Sequence, residues 1–115
     1  MSITDTAKAQ KLFEEAFPLW RYGSAKAAIR EAYAFCKKRV VKEFTYRRAR
    51  SLKEGAARRV DGEELDALRA ALIEEHKREQ VELRARLATL DEILAAADTV
   101  AARSSMESQG AEVRG

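Results

Sequence analysis

The sequence predicts an all-α protein, a small basic helix-turn-helix-like region followed by one long amphipathic helix. Two observations carry this. Apolar residues recur at helical spacing of three and four through most of the chain, and capping residues (Ser24, Thr45, Asp61) precede the striped segments. The third observation is charge: Arg21 to Val60 holds thirteen Lys and Arg against three Glu, whereas Asp61 to Val100 holds five against eleven Asp and Glu. The overall charge of +3 hides that switch.

The first helix is expected from Thr4 to Phe17, striped by Ala9, Leu12, Phe13, Ala16 and Phe17, with Thr4 or Asp5 as its N-cap. Pro18 disfavours helical geometry at Phe17 and ends it, and Leu19 to Gly23 reads as an aromatic connector. Ser24 opens a second helix to about Arg39, whose apolar face is Ala25, Ala28, Ile29, Ala32, Tyr33, Cys36 and Val40. Val40 to Phe44 is too short for a strand. Thr45 then caps a short third helix that sets Tyr46, Ala49 and Leu52 or Lys53 on one side and Arg47, Arg48, Arg50 and Ser51 around the other. Gly55 suits a left-handed C-terminal position. Ala56 to Val60 reads equally as an extended piece or as more helix.

Asp61-Gly-Glu-Glu64 is a capping box with Asp in place of Ser or Thr, and its carboxylates complement the helix dipole. The long helix that follows carries Leu65, Leu68, Leu72, His76, Gln80, Leu83, Leu87, Leu90, Leu94 and Ala97 along one stripe. Some 38 residues at 1.5 Å each span about 57 Å, more than a domain of this size needs for its own core. The stripe therefore predicts a partner helix, with Leu72, His76, Leu83, Leu87, Leu90 and Leu94 as oligomerisation residues and a dimer as the expected state. The expected organisation is a basic DNA-binding region over 1–60, the oligomerisation helix over 61–100 and a disordered tail over 101–115, where there is little to bury.

At 115 residues and 12.9 kDa the chain forms one small domain with appendages. No apolar run approaches the roughly 20 residues that cross a bilayer, and the N-terminus has no signal-peptide pattern, so a cytoplasmic protein without a membrane partner is expected. One cysteine, Cys36, allows neither an internal disulfide nor a cysteine zinc site. It reads as a small core residue. His76 is the one histidine, flanked by Glu75 and Glu79 without a second His, so no metal site is expected. A glycine-rich phosphate loop, a Gly-x-Ser-x-Gly elbow and a paired-histidine motif are all missing from the sequence, which points away from an enzyme and from any cofactor. The aromatics Phe13, Phe17, Trp20, Tyr22, Tyr33, Phe35 and Phe44 read mainly as core.

A cationic block of this density points to a polyanion, with double-stranded DNA the expected partner. Over residues 24–68 the chain resembles the small helix-turn-helix proteins of phages and bacteria, in particular the excisionase-like winged group. The resemblance rests on the Thr-x-x-Arg helix from Thr45 to Gly55 with its Lys-Glu-Gly end, on Arg58-Arg59-Val60, and on Asp61-Gly-Glu-Glu-Leu65. It departs from that group in the longer link between helices, Arg39 to Phe44, and in the few residues left for a wing. The resemblance implies a recognition helix in the major groove, with Arg47, Arg48, Arg50 and Ser51 facing bases and Lys37, Lys38, Lys42, Arg58 and Arg59 holding phosphates. Tyr46 and Lys53 belong to the same helix and complete the expected interface. Transcriptional regulation or an accessory role on DNA follows. A small packaging subunit of the phage terminase kind and a protein-binding inhibitor or adaptor that uses the long helix are the alternatives.

Overall fold

The computed structural model describes residues 3–114, with side chains described for 5–107. It is all-α: α1 (Ile3–Ala16), α2 (Leu19–Tyr22), α3 (Ala25–Arg39), α4 (Tyr46–Glu54) and α5 (Gly62–Arg114) follow in order, with no strand among the described residues. Arg58-Arg59-Val60 is therefore not a wing strand, and the Ala56–Asp61 segment is a non-helical link. Helix α1 already runs at Ile3, so its capping residue falls outside the described residues and is neither Thr4 nor Asp5. Residues expected in a disordered tail continue α5 as far as Arg114, while Gly115 lies outside the described residues.

One compact unit runs to Arg78, and the rest of α5 forms a second. The first unit passes the boundary expected at Val60 because Ala67, Leu68 and Ala71 of α5 are needed to complete its core. That core takes Ala9, Phe13, Ala16 and Phe17 from α1 and the residue that follows it, Ala28, Ile29, Ala32 and Cys36 from α3, and Ala49 and Leu52 from α4. Many of these positions are alanine. Small side chains let helix backbones approach closely around a few large groups, of which Phe13, Leu52 and Leu68 have almost no exposed surface. Leu72, expected at an oligomer seam, is half-buried and packs against this core instead. A continuous leucine stripe does not distinguish the turns used inside a subunit from those left over.

The expected connector at Leu19 is a single helical turn, closed by Gly23 in left-handed geometry (φ 85°) with its N–H donating to Leu19 O at 2.7 Å. A helix of one turn has no inward face to offer every side chain, and Trp20 stays 68% exposed with the Arg21 guanidinium over its ring. Arg21 also reaches the buried Glu75 of α5 through Nε–Oε1 at 2.7 Å and Nη2–Oε2 at 2.8 Å. Ser24 caps α3 as its position implies, accepting from Ala27 N at 3.1 Å.

The long link between α3 and α4 is fixed at both ends and in its middle. Val40 and Phe44 are buried anchors, and Glu63 in the first turn of α5 accepts from Val41 N at 3.2 Å and Lys42 N at 3.5 Å. At the far end of α4, Gly55 has φ 69°, where its own N–H donates to Leu52 O and Ala56 N–H donates to Ser51 O. These two bonds are the Schellman pattern. Gln10 of α1 covers that cap, donating to Lys53 O at 3.0 Å, and a Cβ on Gly55 would lie 2.8 Å from its Oε1. Gly55→Ala should therefore lose about 1–2 kcal/mol for the left-handed backbone even after Gln10 swings aside. Urea unfolding followed by circular dichroism checks this, with Gly55→Asn expected to lose less.

Candidate nucleic-acid interface

Helix α4 of the basic block is fixed at both ends and along its inner face. Thr45 Oγ1 accepts from Arg48 N at 3.1 Å, the Schellman turn closes the other end, and Ala49 and Leu52 hold the inner face in the core. A short helix fixed at both ends leaves a defined outer face. Arg47 and Arg50 are exposed on it, Ser51 and Lys53 are half-buried, and Arg50 pairs with Glu54 at 3.1 Å along the helix. Tyr46 is 37% exposed and meets Tyr33 of α3 edge-on, with ring centroids 6.5 Å apart.

Arg48 is placed differently from its neighbours. Its Nε and Nη2 donate to the two carboxylate oxygens of Glu64 at 2.6 and 2.7 Å, and Nη2 also donates to Arg59 O. A planar guanidinium matched to both oxygens of a carboxylate is the strongest ion-pair geometry a side chain can make. Arg48 is thus engaged as a tie between α4 and the start of α5, and the base-facing role that the resemblance implies for it would require that tie to open. Sequence reasoning missed this because Glu64 already had a local purpose. It does serve the capping box, accepting from Asp61 N at 3.0 Å, and its second task is long-range.

Glu64 has no exposed surface. Burial would push its carboxyl up, but the hydrogen bonds from Arg48 and Asp61 N–H and the charges of Arg48 and Lys42 outweigh burial and hold it below the ordinary glutamate value. Asp61 is also held low, first by the hydrogen bond from Lys42 and then by the charges of Lys42, Arg59 and Arg48. The Lys42 ammonium bonds Asp61 and lies 3.5 Å from Glu64 Oε1, while Arg59 Nε lies 3.4 Å from Asp61 Oδ1. Lys42, Arg48, Arg58, Arg59 and Asp61 line one open concavity beside the N-terminal half of α4. Three of the five residues expected to hold phosphate, Lys42, Arg58 and Arg59, are thereby brought together.

The other two lie elsewhere. Lys37 is exposed with its ammonium 5.3 Å from the centre of the Tyr33 ring, and Lys38 lines a separate cavity of the first unit with Phe17, Tyr22, Phe35 and Arg39. Cys36 is buried, and burial pushes its thiol up to about 12, with a smaller upward effect from the Glu64 charge and a downward one from Arg39. A thiol held protonated is a core group rather than a nucleophile. His76 is exposed, and among the described residues no three His, Cys, Asp or Glu are grouped to hold a metal ion. No described helix is long and apolar enough to cross a membrane.

Comparison with protein-family profiles, curated proteins and solved structures finds no match.

Because Glu64 titrates below its ordinary value of 4.5 when folded, the pair contributes stability that is fully present above that pH and is lost as pH falls through the folded value. The stability of Glu64→Gln, lower than native at neutral pH, should therefore fall less steeply below pH 4.5 and converge on the native value, read from urea midpoints across a pH series. Arg48→Ala leaves a buried carboxylate with only the Asp61 N–H and the Lys42 ammonium beside it and should cost about 3 kcal/mol at neutral pH. The same unfolding curves report it.

Proposed function

We propose that this chain is a small DNA-binding protein of the kind found in phages and bacteria, a transcriptional regulator or accessory factor rather than an enzyme. The observation that supports this best is the arrangement around α4. A helix fixed at both ends presents Tyr46, Arg47 and Arg50 outward beside a concavity where Lys42, Arg58 and Arg59 converge around Asp61, which pairs with the first and last of them. A duplex needs both kinds of contact. Arginines on a rigid helix read guanine edges through paired hydrogen bonds, and clustered cations neutralise phosphates. In this reading α4 lies in the major groove, Arg47, Arg50 and Ser51 face bases, and Lys53 holds backbone at the helix end. Arg48 keeps the helix angle through Glu64. Two copies paired through α5 would grip two half-sites.

A second reading is favoured by one specific observation. Leu83, Leu87, Ile93, Leu94 and Val100 of α5 are each more than half exposed, a row that equally suits an adaptor or inhibitor with a protein target. A packaging subunit of the terminase kind shares the DNA-binding reading and differs in assembling as a ring of many copies.

Gel-shift titrations on a selected duplex and a random one separate these readings. Arg47→Ala with Arg50→Ala should reduce discrimination between the two duplexes by about tenfold or more, from the roughly 1–3 kcal/mol of a bidentate base contact. Arg58→Ala with Arg59→Ala should weaken both duplexes alike and flatten the salt dependence. Equal losses from both pairs would remove α4 as the reading helix, and a protein target retained at high salt after nuclease treatment, without duplex binding, would favour the adaptor.

A further inference from the structure

Residues 79–107 of α5 belong to the second compact unit, and nearly every one of their described side chains is exposed. Leucines there remain far from buried: Leu83 is 63% exposed, Leu87 60% and Leu94 61%. Their spacing, with Leu90 and Ala97, alternates four and three, the repeat of a two-stranded coiled coil in which Leu83, Leu90 and Ala97 take d positions and Gln80, Leu87 and Leu94 take a positions. That lettering fixes which residues flank the seam. Glu79, Arg86 and Ile93 fall at g, and Arg84, Asp91 and Asp98 at e.

Of the charges at e and g, Arg86 alone has an opposite charge three or four positions away, Glu82. Residues three and four away from Arg84 are Gln80, Val81, Leu87 and Ala88, and those around Asp91 are Leu87, Ala88, Leu94 and Ala95. Neither charge faces an opposite one. Across a parallel in-register pair, each g residue meets the e residue five positions on in the other copy. Glu79 then meets Arg84 and Arg86 meets Asp91, and two-fold symmetry repeats both pairs with no like charges opposed.

The antiparallel alternative uses these residues less well. Aligning Leu83 with Leu94 and Leu87 with Leu90 still pairs Arg84 with Asp91, but it sets Arg86 against Ile93 and Glu79 against Val100. It also opposes Gln80 to Ala97. In parallel register Gln80 faces Gln80 of the other copy, where two side-chain amides can hydrogen-bond and fix the alignment, as polar residues at single a positions do. Charge complementarity and the polar layer thus select one occupant and one orientation.

We propose that residues 79–107 of α5 dock on the same segment of a second copy as a parallel, in-register, two-stranded coiled coil, held in register by Glu79–Arg84 and Arg86–Asp91 pairs between copies. This deepens the pairing through α5 in the proposed function and rests on that part of it. The parallel arrangement brings the same end of α5 together in both copies.

The full-length chain tests it directly. Ala97→Cys, oxidised in solution, should give a covalent dimer on a non-reducing gel, because parallel register places residue 97 against itself. Thr99→Cys, on the outer side of the seam, should not. Sedimentation equilibrium should show two copies, with Arg86→Glu weakening association by about fivefold through two symmetry-related exposed pairs. Adding Asp91→Arg to that variant should restore it. An antiparallel pair would give no covalent dimer from Ala97→Cys and no response to Arg86→Glu, and either result overturns the proposal, as does a monomer or a larger assembly. A monomer that still retards duplex DNA would leave the DNA-binding reading standing, whereas a covalent Ala97→Cys dimer without duplex affinity would support the pairing alone.

Discussion

Glu64 sits without exposed surface where the cationic stretch of the chain gives way to the anionic one, and the rest of the first unit is arranged around its charge. A carboxylate taken out of water is costly unless its oxygens are fully engaged. Here Arg48 supplies two bonds and Asp61 N–H one, with Lys42 nearby. The same group therefore fixes three things: the angle of α4, the first turn of α5 and the path of the link that carries Lys42. Its neighbour Glu63 takes the backbone of that link. The acidic residues that open α5 are thus scaffolding for the basic face, and they neutralise the inner members of the cationic cluster while Arg47 and Arg58 remain on the outside.

A second buried ion pair repeats the device across the unit. Arg21 leaves the one-turn helix α2 and meets Glu75 near the end of the packed part of α5, with both side chains largely shielded. Each pair ties α5 to a segment that buries little apolar surface of its own, α4 in one case and α2 in the other. Alanine-rich packing explains why such ties are needed. Close helix contacts over Ala28, Ala32, Ala49, Ala67 and Ala71 exclude water well but bury less apolar area than larger side chains would.

What the sequence discloses follows the range of the interactions. Caps at Ser24 and Thr45, the turn at Gly55 and the box at Asp61 are legible because each depends on residues within five positions; the structure places the first three as expected and the Glu64 half of the box, while the Asp61 carboxylate turns to Lys42. The apolar faces of α1 and α3 are legible from their periodicity. The inward turn of Arg48 is not, since its partner lies 16 residues away and nothing local distinguishes it from Arg47 or Arg50. Leu72 and Trp20 escape sequence reasoning for a related reason. Periodicity reports which residues share a face, but whether that face meets the chain's own core, a second chain or water is decided by how many turns the core can use.

Cys36 adds a consequence of a different kind. Its thiol lies within the core, 1% exposed, on the helix that leads into the cationic link, and its protonated form resists alkylation while the native packing holds. Reaction with a thiol reagent must wait for α3 to part from its neighbours, so the modification rate counts opening events of this unit. The chain carries its own clock for core breathing, one that needs no label and no substitution. Because the thiol is silent in the closed state, any protection it gains when a polyanion binds would be read as a slowing of that clock, linking occupancy at the surface to motion in the interior.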